Sequence, residues 1–127
     1  MIDIHIKTIP NDEHRYPTTG DYYTENGQDQ IRVSELPDWR YEVLIAIHEL
    51  IESVLCKHDG ITDEAITAFD VEFEHERAAG LHGDEEPGDD FRAPYRAQHQ
   101  FATNIEQLMA FKLGVNWKEY EKAVLAL

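Results

Sequence analysis

Cysteine is almost absent: Cys56 stands alone among 127 residues. One thiol excludes an internal disulfide framework, a zinc ribbon and a CxxC redox pair. It suits a reducing compartment, so a cytoplasmic location is expected. Basic residues are also scarce, with 11 Lys and Arg against 26 Asp and Glu and a net charge of −15. Nucleic acids and anionic membranes are recognised through clustered Lys and Arg, so neither is an expected partner. No apolar run approaches the roughly 20 residues that span a bilayer. The opening Met1-Ile2-Asp3-Ile4-His5 lacks the basic start and apolar stretch of a secretion signal. Internal repeats, low-complexity tracts, a serine nucleophile elbow, a phosphate-binding glycine loop and a dinucleotide fingerprint are all missing.

What remains is 42% hydrophobic, enough to fill the core of one domain, 1–127. Its first 37 residues are rich in strand signals. Ile2, Ile4 and Ile6 alternate with polar residues up to Pro10, the pattern of a half-buried strand. Residues 11–20 carry loop chemistry. Strands at Asp21–Thr24 and Gln30–Ser34 flank a tight turn at Asn26-Gly27. An antiparallel sheet is expected. From Pro37 onward, residues 38–127 read as helices. Asp38 caps a helix from about Trp39 to His58 that stops at Gly60. Thr62 caps a second, Asp63 to about Ala79. Pro94 opens a third, reaching about Leu113. Asn116 with Glu119 caps a short last helix. The expected class is α+β: a small N-terminal antiparallel sheet, then a bundle of three long helices and one short one.

The first helix carries the chemistry. At roughly 100° per residue, His48 and Glu52 fall inside its apolar arc with Leu44, Ile45 and Leu55, and Glu49 falls at the edge. A carboxylate on an apolar face is costly unless it is paired or bound to a metal. An acid and an imidazole one turn apart have the spacing of two metal ligands on one helix. They can equally hydrogen-bond each other. On the third helix Tyr95, His99, Thr103 and Glu106 form one stripe. His99 is the candidate third ligand, while Glu106 is expected to meet solvent. On the second helix Asp70 and Glu74 are reserve ligands, although Arg77 can neutralise them. The acidic stretch 82–90 lacks EF-hand spacing and reads as a solvated loop. His58-Asp59 reads as a helix end, and Cys56 as a partly buried thiol.

Residues 30–56, with Gln30–Ser34 followed by Tyr41–Leu50, resemble the strand-then-helix core of small zincin metallopeptidases. That resemblance implies an edge strand lying over a helix with two zinc-binding histidines and a glutamate that activates water. Residue by residue, it implies His48 as first ligand, Glu49 as catalytic base and Glu52 in place of the second histidine. Carboxylate oxygen is an accepted ligand of zinc and of other divalent transition metals. The rest of the chain is similar to small phage or prophage proteins. The expected function is metal-dependent hydrolysis of a peptide or amide bond. Two alternatives stand beside it. One is an acidic, non-enzymatic interaction or structural protein in which His48 and Glu52 form a buried pair. The other resembles helical nucleotide pyrophosphatases, with Glu49 and Glu52 as the first half of a magnesium site. Its second acidic half is missing from 62–79.

Overall fold

The computed structural model describes residues 1–127. Three strands come first: β1 (Ile4–Ile9), β2 (Gly20–Glu25) and β3 (Gln28–Ser34). Four helices follow: α1 (Trp39–His58), α2 (Asp63–Ala78), α3 (Arg96–Lys112) and α4 (Trp117–Leu125). The α+β class is as the composition and periodicity predict. No helix is long and apolar enough to cross a membrane.

The sheet departs from expectation. It is mixed, not wholly antiparallel, with strand order β1-β3-β2. Asn26 and Gly27 both take positive φ, +54° and +74°, so the chain reverses tightly and β2 pairs antiparallel with β3. β3 thereby enters between its neighbours and runs parallel to β1, with Ile6 opposite Ile31 and Thr8 opposite Val33. Ile31 and Val33 are buried in the centre of the sheet, whereas Ile6 on the edge strand is 52% exposed. The alternation in β1 therefore marks a strand, but not a half-buried one. The central place of β3 also corrects the zincin-like expectation for Gln30–Ser34. The edge strand beside α1 is β2, where Gly20 lies against Glu49 and Ile45.

Helix boundaries follow local chemistry. Asp38 accepts from the Arg40 amide at 2.9 Å, Thr62 from Ala65 at 3.2 Å, and Asn116 from Glu119 at 3.1 Å. Each cap is worth about 1 kcal/mol. Gly60, at φ +74°, ends α1 in a conformation that other residues resist. α3 begins two residues after Pro94. Tyr95 keeps a non-helical backbone at φ −114°, ψ 21°, and its ring is buried.

Two apolar clusters hold the elements together. Ile31, Val33, Leu44, Ile45, Ala110, Val115 and Tyr120 join the sheet to α1, α3 and α4. Cys56, Ile66, Ala93 and Tyr95 join the far end of α1 to α2 and the start of α3. Along the inner face of α1 the order is Leu44 and Ile45, then His48 and Glu52, then Cys56. The polar pair thus sits between two apolar clusters, on the same face of the same helix.

Candidate metal centre

α1 and α3 pack side by side, which brings His48 and Glu52 against His99 and Glu106. These four side chains belong to residues between 5% and 8% exposed. They border a cavity of about 770 Å³ also lined by Tyr16, Tyr22, Glu49 and Asp70.

Three atoms form a closed triangle. His48 Nε2 lies 2.9 Å from Glu52 Oε2, His99 Nδ1 lies 2.9 Å from the same oxygen, and the two nitrogens are 3.1 Å apart. Each ring is held from outside. His48 Nδ1 is 2.7 Å from Glu106 Oε1, and Tyr120 donates to Glu106 Oε2 at 2.6 Å. Tyr22 donates to the other oxygen of Glu52 at 2.8 Å. An ionised Glu106 only accepts, so His48 Nδ1 carries the proton that faces it. A neutral His48 then turns the lone pair of Nε2 into the triangle, toward a carboxylate lone pair. Hydrogen bonds cannot satisfy all three edges at once, because with an ionised Glu52 either one ring turns a lone pair toward its oxygen or both rings turn N–H groups toward each other. A second proton on each ring satisfies both edges to Glu52 and leaves two N–H groups facing each other, whereas a metal cation inside the triangle would engage all three atoms.

The electrostatics draw positive charge to this spot. Burial opposes charge on His48, but Glu106 and Glu52 outweigh it and push its pKa up to about 10. Burial is likewise outweighed at His99, where Asp89, Glu52 and Glu86 push the pKa up to about 12. Burial would raise Glu52, yet hydrogen bonds from His48 and His99 bring it down to about 2. Glu49 behaves differently. Burial, with Glu52 adding repulsion, holds its carboxyl well above the usual carboxylate range. Its position is constrained by Gly20, since a Cβ there would come within 2.6 Å of Glu49 Oε1 and 2.8 Å of Ile45.

No family model, curated protein or solved structure matches this chain. Function is therefore read from geometry.

The donor set is suited to a divalent metal. Two imidazole nitrogens and one carboxylate oxygen converge, and their edges of 2.9–3.1 Å are those of ligands at right angles around an ion with bonds of about 2.1 Å. A tetrahedral set with the same bonds would spread to about 3.4 Å. His48, Glu52 and His99 are thus brought together, whereas Asp70 and Glu74 are not part of the triangle. Asp70 accepts from Tyr16 at 2.9 Å and from Tyr95. Glu74 is paired with Arg77 at 3.0 Å, as its helical spacing suggests.

Two expectations need correction. Glu106 does not meet solvent; it is 7% exposed and holds His48. Its place seven residues after His99 on one stripe was the available signal. The 82–90 loop is not free in solvent. Gly88 is pressed so closely on His99 that a Cβ would overlap the ring, and Glu86 and Asp89 reach its outer nitrogen. Tyr22 and Tyr120 carried no sequence signal, because their roles depend on contacts across the fold.

Proposed function

We propose that this chain is a metal-dependent hydrolase whose metal is held by His48, Glu52 and His99 and whose proton acceptor is Glu49. The closed triangle supports this reading most directly. Its two rings and one carboxylate converge on one point, and the Glu106 carboxylate stands behind His48, the arrangement that fixes and strengthens an imidazole ligand. A divalent ion held there would polarise a carbonyl and lower the pKa of water.

The side chains have distinct tasks. Glu106, braced by Tyr120, keeps the proton of His48 on Nδ1 and leaves Nε2 free as a donor atom. Tyr22 holds Glu52 by one oxygen and leaves the other inside the triangle. Glu49 lies one residue from His48 and makes none of these contacts. Its raised pKa, caused by burial and by Glu52, makes it a stronger base than an exposed carboxylate, as a group that takes up a proton requires. The zincin-like resemblance suggests a peptide or amide bond as substrate. Arg77 is the one Lys or Arg that lines the cavity, and it is engaged by Glu74 and by the carbonyls of Gly83 and Glu85. That lining disfavours anionic substrates. The two imidazoles disfavour a magnesium-dependent pyrophosphatase, whose ion takes oxygen ligands.

One observation favours a second reading. The high pKa values of His48 and His99 let both rings be imidazolium, so the cluster would stand as a buried ion network in a non-enzymatic protein. Two measurements separate the readings. The metal-loaded protein should cleave members of a fluorogenic peptide and amide library. Glu49→Gln should keep the ion and lose roughly 10²–10⁴ of the rate. Failure to retain any ion would overturn the metal reading, and equal rates in both proteins would remove Glu49 from the chemistry.

A further inference from the structure

The acidic loop turns a second set of ligand atoms onto the other nitrogen of His99. Glu86 Oε2 lies 3.0 Å and Asp89 Oδ1 3.2 Å from His99 Nε2. Both oxygens stand off the N–H axis, and the buried Nε2 has no hydrogen-bond partner. Acceptors belonging to a ring N–H lie in front of it. Two carboxylates beside an imidazole nitrogen are instead disposed as ligands around a cation. A buried polar atom left unpartnered in an ordered region calls for such an explanation.

The loop is built to hold this position. Arg77 donates to the carbonyls of Gly83 and Glu85. His82 stacks on Phe73 with ring centres 3.9 Å apart. Arg92 ties Asp90 at 3.0 Å and Glu76 at 2.8 Å. Gly88 packs against the His99 ring where no side chain fits. The carboxylates of Glu86 and Asp89 are 60% and 54% exposed, so the outer side of the group opens to water while His99 is buried.

We propose that Glu86, Asp89 and His99 Nε2 form a second site for a divalent cation, an outer station at the mouth of the cavity that delivers its ion to the inner triangle. The delivery rests on the metal-centre reading above; the outer ligands do not. A neutral imidazole has one lone pair. With the lone pair on Nε2, the outer site is competent and Nδ1–H faces Glu52. With it on Nδ1, the inner site is competent and Nε2–H faces the loop. Moving an ion inward therefore takes one proton from Nδ1 and returns one to Nε2, with no net change. The two stations compete for one ring, so the second ion binds more weakly than the first.

The test uses Mn(II), followed by electron paramagnetic resonance and calorimetry on the full chain. His48→Ala, checked for folding by circular dichroism, removes an inner ligand and should still bind one ion. Adding Glu86→Gln and Asp89→Asn to it should abolish that binding. In otherwise native protein, the loop double variant should keep the inner ion but take it up at least tenfold more slowly. Folded His48→Ala that binds no ion, or binds it equally with and without the loop carboxylates, overturns the outer site. So does a loop double variant that only weakens the inner ion, by the roughly 10–100-fold expected if the carboxylates merely orient His99. One ion in wild type, unaffected by His48→Ala but lost with the loop carboxylates, keeps the outer site and sinks the inner one.

Discussion

Glu52 and Asp70 are both acids on the buried faces of helices, 5% and 8% exposed, and both line one cavity. Their partners differ. Glu52 meets two imidazoles and one tyrosine, and its pKa falls to about 2. Asp70 meets two tyrosine hydroxyls, which offset burial only in part and leave its pKa raised to about 6. Each tyrosine hydroxyl donates to Asp70 and completes it, so nothing in that cluster calls for a cation. At Glu52 the two rings face each other across one oxygen, and no set of hydrogen bonds satisfies all three edges of that triangle. Burial of an acid therefore does not distinguish a ligand from a structural anchor. The kind of group that surrounds it does.

The largest expected effect comes from deleting the acid on the metal side. Glu52→Ala leaves two rings facing each other without their anion. It should weaken metal binding more than 100-fold and cost about 3–5 kcal/mol of stability. Elemental mass spectrometry and urea unfolding read both quantities. Asp70→Asn should leave metal binding unchanged, and a loss of metal there would break the comparison.

The pH dependence of stability sharpens it. Asp70 titrates near 6 when folded and near 3.9 when unfolded. Between those values the folded state holds the proton more tightly, so this group stabilises at low pH. That contribution of about 3 kcal/mol is lost as pH rises from about 4 to about 6. The difference between wild type and Asp70→Asn, taken across that window, isolates it. A difference that stays flat with pH would mean that the two hydroxyls hold Asp70 ionised throughout.

Smaller effects follow from the neighbours. Gly20→Ala drives a methyl group toward Glu49 and Ile45. It should cost about 1 kcal/mol and slow hydrolysis while metal content stays constant. Unchanged turnover would show that the position of Glu49 is not critical. Glu74→Ala removes a partly exposed ion pair with Arg77 and should cost roughly 0.5 kcal/mol with no effect on metal. Loss of metal in that variant would return Glu74 to the ligand set.

Much of this contrast was legible in the residues, and the part that was not has a physical cause. The apolar arc of α1 places His48 and Glu52 inward because helical phase is a local property. The caps at Asp38, Thr62 and Asn116 are local in the same sense. The parallel pairing of β1 with β3 joins segments more than twenty residues apart and leaves no periodic trace. Glu106 reads as a surface acid until α3 is packed on α1. Glu86 and Asp89 lie in a stretch whose composition is that of a solvated loop. Their approach to His99 depends on Gly88 and on Arg77 anchoring the loop. Asp70 and Glu52 look alike in sequence, since the tyrosines that complete Asp70 come from the loop before β2 and from the start of α3.

The central claim is that the triangle of His48, Glu52 and His99 holds a metal ion. The most direct measurement is the metal retained by tag-free protein after loading with Zn(II) or Mn(II) and gel filtration, beside His48→Ala and Asp70→Asn. The account predicts about one tightly held ion in wild type and in Asp70→Asn, and none that survives gel filtration in His48→Ala, where only the weaker outer station remains. Wild-type protein that retains no ion, or a His48→Ala variant that retains it as tightly, would contradict the account and leave the two rings as a buried imidazolium pair.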